Sequence, residues 1–238
     1  MKQISEEMQK YGVECKIVSS LEKVLPNVEP VSCAPFSTLL KNQELNFQLA
    51  FRCKQKKGLR SAKIVAKGAL AQYTQIYRQE LAPVTYTPHD ADDYYISREI
   101  TMIPDALLPF GEMGFTSPYN QWRAVWVSLK LPLDIECGVY TIEFELNDCN
   151  DSQICETQFT VEVLDAVAPN TNLKLTNWIH YDCIAKTHGV ELFSNAFYEV
   201  FDSYLQVYRE TGFNMLFTPL FTPPLDTKSA EREKRRSS

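Results

Sequence analysis

A strand–helix–strand pattern in the C-terminal part of the chain constrains the fold most. Residues 173–179 form a short apolar run that is typical of a β-strand, and residues 194–211 place aromatic and aliphatic side chains at helical spacing. A second apolar run follows over residues 214–217. Two strands joined through a helical crossover lie parallel in one sheet. The sequence therefore predicts a βαβ unit.

The ends of the predicted helix carry capping signals. Ser194 is a residue type that accepts hydrogen bonds from the free N–H groups at a helix start. Gly212 follows the last periodic residue, where a left-handed backbone favours glycine. Phe213 can then fold back onto Tyr208. These signals define where the predicted helix begins and ends more clearly than the sequence defines the flanking strands.

Polar side chains follow each predicted strand. The candidate substrate-binding residues are His180 and Asp182 in the loop after the first strand, and Thr222 and Asp226 in the loop after the second. In a (β/α)8 barrel, groups at the C-terminal ends of the strands line the substrate site. The alternative is that they only cap strands and fix loops, since βαβ units are common in proteins of many functions.

Two segments of this region carry a family resemblance. Trp178–Asp182 and Thr218–Thr227 resemble the opening of the catalytic barrel in glycoside hydrolase family 123 and in the related proteins called DUF4091. Upstream, Asn42–Gln48 and Asn120–Trp126 resemble segments of that family's N-terminal β-sandwich. The resemblance covers most of residues 13–227.

The resemblance implies a β-N-acetylgalactosaminidase that works by substrate-assisted hydrolysis. The 2-acetamido oxygen attacks the anomeric carbon, one carboxylate orients the acetamide, and a neighbouring carboxylic acid protonates the leaving oxygen. In the family this pair is an adjacent Asp-Glu on a later barrel strand. No Asp-Glu dipeptide occurs in this chain, so no catalytic residue is assigned. The expectation is a hydrolase fragment, inactive alone, whose family acts on glycans containing N-acetylhexosamine and uses no cofactor.

Residues 13–167 are predicted to form an antiparallel β-sandwich. Apolar and polar residues alternate in four stretches, which indicates strands with one buried face. Further strands are expected at residues 14–20, 62–67, 72–78 and 94–102. Residues 102–122 contain three prolines and two glycines and are predicted to be an irregular connection that packs against the barrel. The alternating apolar sets are Phe47, Leu49 and Phe51; Val125, Val127, Leu129 and Leu131; Tyr140, Ile142, Phe144 and Leu146; and Phe159, Val161 and Val163.

The predicted fold class is mainly β with a C-terminal α/β piece. Residues 168–227 are interpreted as the first βαβ unit of a truncated (β/α)8 barrel, after a boundary that Pro169 marks. Residues 1–12 are expected to be a flexible lead-in. Residues 228–238 are expected to be a disordered basic tail.

Composition narrows the possible partners and location. The net charge of −6 gives no reason to expect nucleic acid, and no apolar run is long enough for a membrane span. The N-terminus lacks the apolar core of a signal peptide. The seven cysteines are an odd number without zinc spacing, so a reduced cytoplasm is expected. Homo-oligomerisation through exposed barrel edges is possible.

Three other interpretations stay open at this stage. His180, Asp182 and His188 could ligate a metal, and an acidic cluster at residues 89–93 could bind calcium or simply be a solvated turn. A non-catalytic carbohydrate-binding or assembly β-sandwich is the alternative function.

Overall fold

The computed structural model describes residues 12–84, 101–111, 114–169 and 172–218. The chain divides into two compact units after Pro169. The helices are α1 (Tyr181–His188) and α2 (Asn195–Glu210). The strands are β1 (Val13–Ser19), β2 (Phe36–Lys41), β3 (Glu44–Cys53), β4 (Leu59–Lys67), β5 (Thr74–Val84), β6 (Thr101–Pro109), β7 (Phe115–Ser117), β8 (Trp122–Lys130), β9 (Gly138–Asn147), β10 (Gln153–Val167), β11 (Thr176–Trp178) and β12 (Met215–Phe217).

Two sheets pack face to face in the N-terminal unit. The first sheet has the strand order β1-β3-β8-β5-β6, and the second has β2-β10-β9-β4-β7. Alternate residues of both sheets point inward and form one apolar core. At its centre, Phe47 of the first sheet stacks on Phe159 of the second, with the ring centroids 4.3 Å apart. The prediction of a mainly β chain with antiparallel sheets and a C-terminal helical piece is confirmed.

One edge strand departs from the antiparallel pattern. β2 pairs in parallel with β10, with Phe36 opposite Thr160 and Leu39 opposite Val163. The sequence prediction missed this strand because Leu39 and Leu40 adjoin and break the alternation on which the prediction depends.

The prediction of an irregular connection at residues 102–122 is wrong. The described residues there include β6, which pairs antiparallel with β5, and the short strand β7, which pairs with β4. Both strands lie at sheet edges. An edge strand has a hydrogen-bonded neighbour on one side only, so it tolerates Pro104 and Pro109, which lack an N–H. A strand was also predicted at residues 94–102, and residues 94–100 of it lie outside the described residues.

The C-terminal unit contains the predicted parallel strand pair. β11 and β12 pair in parallel, with Thr176 opposite Met215 and Trp178 opposite Phe217. The first strand is shorter than the predicted span of residues 173–179. Helix α2 lies between the two strands along the chain.

Both predicted ends of α2 are confirmed. The side chain of Ser194 accepts a hydrogen bond from the backbone N–H of Phe197 at 3.2 Å. At the other end, Gly212 has a φ of 88°, and the N–H of Phe213 donates to the carbonyl oxygen of Tyr208 at 3.1 Å. The rings of Phe213 and Tyr208 stack with their centroids 4.6 Å apart. This is the Schellman arrangement, which satisfies carbonyl groups at a helix end.

The prediction of a loop directly after the first strand is wrong, because helix α1 occupies residues 181–188. Ile184 and Ala185 of α1 are buried against Phe197 and Phe201 of α2. Gly189, with a φ of 64°, ends the helix. Helix α1 has only eight residues, so its helical period is too short to stand out in the sequence, and packing against α2 decides its conformation.

The predicted lead-in lies outside the described residues except for Gly12, and the predicted basic tail lies wholly outside them. Neither described helix is long and apolar enough to cross a membrane.

Candidate functional site at the ends of the parallel strands

The candidate site lies at the C-terminal ends of β11 and β12. Because Trp178 is directly opposite Phe217 in the parallel pair, the residues that follow both strands leave the sheet at the same edge. His180 and Thr218 are two such residues. The two strands thus place a histidine and a threonine at one edge of the C-terminal unit.

Aromatic rings form an exposed surface at this edge. The Trp178 side chain is 60% exposed and Phe217 is 46% exposed. The two rings meet edge to face, with centroids 4.8 Å apart. On its other side, Trp178 stacks on the imidazole of His180 at 5.8 Å. An exposed indole held between two rings offers a flat apolar surface to a ligand.

Two buried polar atoms accompany these rings. The Nδ1 atom of His180 and the Oγ1 atom of Thr218 are buried, and neither has a hydrogen-bond partner among the described residues. A buried polar atom without a partner costs about 1–3 kcal/mol. Such atoms call for a partner from elsewhere, and a hydroxyl-bearing ligand could supply one.

Helix α1 positions His180 and Asp182. His180 precedes the helix in an extended conformation, and its carbonyl oxygen accepts the N–H of Ile184 at 3.2 Å. Tyr181 packs edge to face on Phe201 at 5.2 Å, which holds the helix start against α2. Asp182 is in the first turn of α1, where the helix N-terminus favours a carboxylate. The structure therefore places both predicted residues near one helix start, not in a loop.

The other two predicted site residues, Thr222 and Asp226, lie outside the described residues. So does the acidic cluster at residues 89–93. His188 lies at the opposite end of α1 from His180, and its Nε2 atom is 2.9 Å from the hydroxyl of Tyr204. In the described part of the chain, no group of three His, Cys, Asp or Glu residues is placed to hold a metal ion.

Sequence reasoning missed the role of Trp178 and Phe217 as a ring surface. Phe217 was predicted only as a strand residue, and Trp178 as a strand residue that begins the segment carrying the family resemblance. The available signal was their position, since each is the last residue of a short strand.

Comparison with known proteins finds one family that matches part of this chain. Residues 178–235 match the family described as glycoside hydrolase 123, catalytic domain. A solved family 123 glycoside hydrolase from Clostridium perfringens superposes with a TM-score of 0.68 over 86% of this chain. The resemblance to glycoside hydrolase family 123 is confirmed. The sequence identity to that structure is 15%, so this superposition by itself shows the fold, and the chain spans 37% of the length of the solved protein.

Other solved structures resemble this chain less closely. AvmM, which catalyses macrocyclisation in alchivemycin A biosynthesis, has a TM-score of 0.34 and 8% identity, over 68% of this chain and 93% of its own. The seventh ScaB type I cohesin from Pseudobacteroides cellulosolvens has a TM-score of 0.30 and 9% identity, over 68% of this chain and 98% of its own. TM-scores this low support no argument about function. No curated protein matches the sequence.

Proposed function

We propose that this chain contributes the N-terminal β-sandwich and the first two barrel strands of a glycoside hydrolase that acts on N-acetylhexosaminides. The observation that carries the proposal is the pair of buried, unpartnered atoms, His180 Nδ1 and Thr218 Oγ1, beside the exposed Trp178. All three follow or end parallel strands, at the edge where barrel enzymes bind substrate. The match of residues 178–235 to the family 123 catalytic domain supports this assignment.

The chemistry of a hexosamine fits the groups at this edge. One face of a pyranose ring presents C–H groups, which can stack on the Trp178 indole, and its hydroxyls can hydrogen-bond with His180 and Thr218. Asp182 can accept a hydrogen bond from a hydroxyl or from the N–H of an acetamido group. Thr222 and Asp226 are proposed to complete the site from the loop after β12. All six residues are assigned to binding, not to bond cleavage.

The catalytic carboxylates are not assigned in this chain. Substrate-assisted hydrolysis needs one carboxylate to orient the acetamide and a carboxylic acid to protonate the leaving oxygen. In the family these are an adjacent Asp-Glu, and this sequence has none. The 238-residue chain is therefore proposed to supply binding groups and to be inactive alone.

The exposed apolar residues of β12 also favour a barrel. Met215, Leu216 and Phe217 are each 40–46% exposed, and a two-stranded sheet is marginal in water. Further barrel strands would cover these residues. Pairing with a second copy of the chain is the alternative cover. The alternative function, a non-catalytic carbohydrate-binding or assembly β-sandwich, is not favoured, because the family match falls on the C-terminal unit.

Cytoplasmic location stays a prediction. Cys155 is buried and forms no disulfide. Burial raises the pKa of Cys155 to about 12, so this thiol stays protonated and unreactive near neutral pH.

The proposed site can be tested by sugar binding. The chain has three tryptophans, so a ¹⁵N-labelled sample gives three indole N–H signals, which Trp178→Phe and Trp126→Phe assign. N-acetylgalactosamine should shift the Trp178 signal saturably, with a Kd on the order of 1 mM or weaker. His180→Ala should weaken binding at least about tenfold. His188→Ala, at the other end of α1, is the matched control. Absence of a Trp178 shift, or equal binding by His180→Ala, would refute the site.

A further inference from the structure

The outer face of the first sheet is only partly covered. A segment over residues 20–31 crosses it, with Val24 buried against Val18, Ala50 and Trp122 in a small second core. At the far side, the Nζ atom of Lys23 donates to the carbonyl oxygen of Pro104 in the edge strand β6 at 3.1 Å. The segment thus spans the sheet from β1 to β6 and divides the face.

A buried glutamine pair lies under this segment. The amide nitrogen of Gln48 donates to the carbonyl oxygens of Ser19 and Glu22 at 2.7 and 2.8 Å. The amide nitrogen of Gln79 donates to Gln48 Oε1 at 2.7 Å. Both glutamines are at most 5% exposed. Because both glutamines are buried and hydrogen-bonded, they hold the segment in place on the sheet. The segment therefore marks the border of the uncovered part of this face.

The open part carries two aromatic rings on neighbouring strands. Tyr77 of β5 is directly opposite Trp126 of β8. Both side chains are half-buried, and both lie on the face away from the main core, since Val125 and Val127 beside Trp126 point into it. We name this surface the Trp126 face. It consists of Glu44, Asn46, Gln75, Tyr77, Trp126 and Ser128.

Short polar side chains hold and flank the two rings. The indole N–H of Trp126 donates to Asn46 Oδ1 at 3.0 Å, and the Tyr77 hydroxyl donates to Gln75 Oε1 at 2.6 Å. Glu44 Oε1 accepts from both Asn46 and Ser128 at 3.0 Å. The rings are therefore fixed before any ligand arrives, which lowers the entropy cost of binding.

The chemistry of the Trp126 face matches a neutral glycan. The fixed rings can stack on the C–H face of a pyranose, and the flanking amides, hydroxyl and carboxylate both donate and accept hydrogen bonds, as sugar hydroxyls require. The amide nitrogen of Gln75 has no partner among the described residues. A nucleic acid would need a basic surface, whereas the six residues of this face include one carboxylate, Glu44, and a single cation, Lys130, lies directly opposite it on β8.

We infer that the Trp126 face is a second carbohydrate-binding surface, separate from the strand-end site. It takes a neutral oligosaccharide, with one pyranose over Trp126 and Tyr77. It lies wholly in the N-terminal unit and depends on neither the barrel assignment nor catalysis.

The test uses the three indole signals of the full ¹⁵N-labelled chain. Lactose and chitotriose are the probes. At least one should shift the Trp126 signal saturably, with a Kd on the order of 1 mM, while the buried Trp122 signal stays fixed. Tyr77→Ala and Gln75→Ala should each weaken this binding at least threefold. Tyr119→Ala, which removes an exposed tyrosine of the same unit, should leave it unchanged.

The outcomes separate this inference from the proposed function. A Trp126 shift that survives His180→Ala supports the second surface whether or not the strand-end site binds sugar. No Trp126 shift with either probe overturns it, as does binding unaffected by both Tyr77→Ala and Gln75→Ala. A Trp126 signal that moves with protein concentration in the absence of sugar would also overturn it, in favour of a contact between two copies of the chain.

Discussion

The hydroxyl oxygen of Tyr208 lies 2.6 Å from the backbone nitrogen of Asn177, whose N–H it accepts. The same hydroxyl is 2.9 Å from the carbonyl oxygen of Met215, to which it can donate. Asn177 is in β11 and Met215 is in β12, so one side chain of helix α2 ties both parallel strands. A two-stranded sheet needs such support, because it has few ladder bonds of its own.

Removing this hydroxyl should loosen the strand pair. Tyr208→Phe keeps the ring that stacks on Phe213 but loses the bonds to both strands, at a cost of about 1–2 kcal/mol. We expect faster amide hydrogen exchange at Asn177 and Phe217, the two strand residues to examine. Tyr198→Phe is the matched control, because that hydroxyl is on the same helix and has no bond to a described residue. Equal exchange in both variants would contradict the role assigned to Tyr208.

Two glycines near β7 should respond differently to alanine. Gly114 and Gly111 both have positive φ values, 61° and 56°. A Cβ on Gly114 would lie 2.4 Å from the carbonyl oxygen of Ala62, whereas one on Gly111 would meet nothing nearer than 3.8 Å. Gly111→Ala should cost about 1 kcal/mol from backbone strain alone. Gly114→Ala should cost at least about 2 kcal/mol more, because the backbone of β4 must move. Chemical unfolding of both variants tests the difference.

The strength of the local signal explains which elements the sequence predicted. Helix α2 has a long apolar period and marked ends at Ser194 and Gly212, so it was predicted nearly to the residue. The central strands β3, β8 and β9 each place alternate residues in the main core, and this period of two made them predictable. Helix α1 and strand β2 have weak patterns, and they depend on contacts with α2 and β10 that no local rule contains.

The candidate site was predictable only in part, for a related reason. Strand ends can be located from the sequence, so His180 was found. The exposure of Trp178 and the missing partners of His180 Nδ1 and Thr218 Oγ1 depend on neighbours that only the folded chain defines. The prolines at 104 and 109 misled the prediction of β6, because proline marks a loop unless the strand is at an edge.

Lowering the pH should reduce the stability of the N-terminal unit, because Glu14 becomes protonated. Burial alone would raise the pKa of Glu14, but its hydrogen bonds and ion pairs with Lys54 and Arg52 outweigh burial and hold the pKa below its usual range. A carboxyl whose pKa is lowered in the folded state stabilises the fold above its unfolded pKa, about 4.3. That contribution is lost as the pH falls through the lower folded pKa.

The variant Glu14→Gln tests this pH dependence. At pH 7 the free energy of unfolding should fall by at most about 1 kcal/mol, since the pair is partly exposed. The difference from the parent chain should shrink as the pH falls below about 4, where the parent also loses the charge. Glu136→Gln removes an exposed carboxylate that has no ion pair with a described residue, so it should change little at any pH. A constant deficit from pH 7 to pH 3 would assign the effect of Glu14 to packing instead of charge.

The last prediction concerns activity. Hydrolysis by the family 123 route needs a carboxylic acid and an acetamide-orienting carboxylate in one water-poor pocket. Positioned acid catalysis alone contributes about 10²–10⁴-fold to the rate, and this chain has no adjacent Asp-Glu to provide both groups. Asp182 is proposed to bind sugar, and a single carboxylate cannot hold both roles at once.

The purified 238-residue chain should therefore release no aryl alcohol from an aryl β-N-acetylgalactosaminide above the rate in buffer. The same preparation should still shift its Trp178 signal with N-acetylgalactosamine, which excludes misfolding as the cause of inactivity. An Asp182→Asn sample serves as the matched blank, because any contaminating hydrolase would act equally in both preparations. Turnover that is present in the parent chain and abolished in Asp182→Asn, or in another single Asp or Glu variant, would show that the catalytic carboxylates lie within these residues after all.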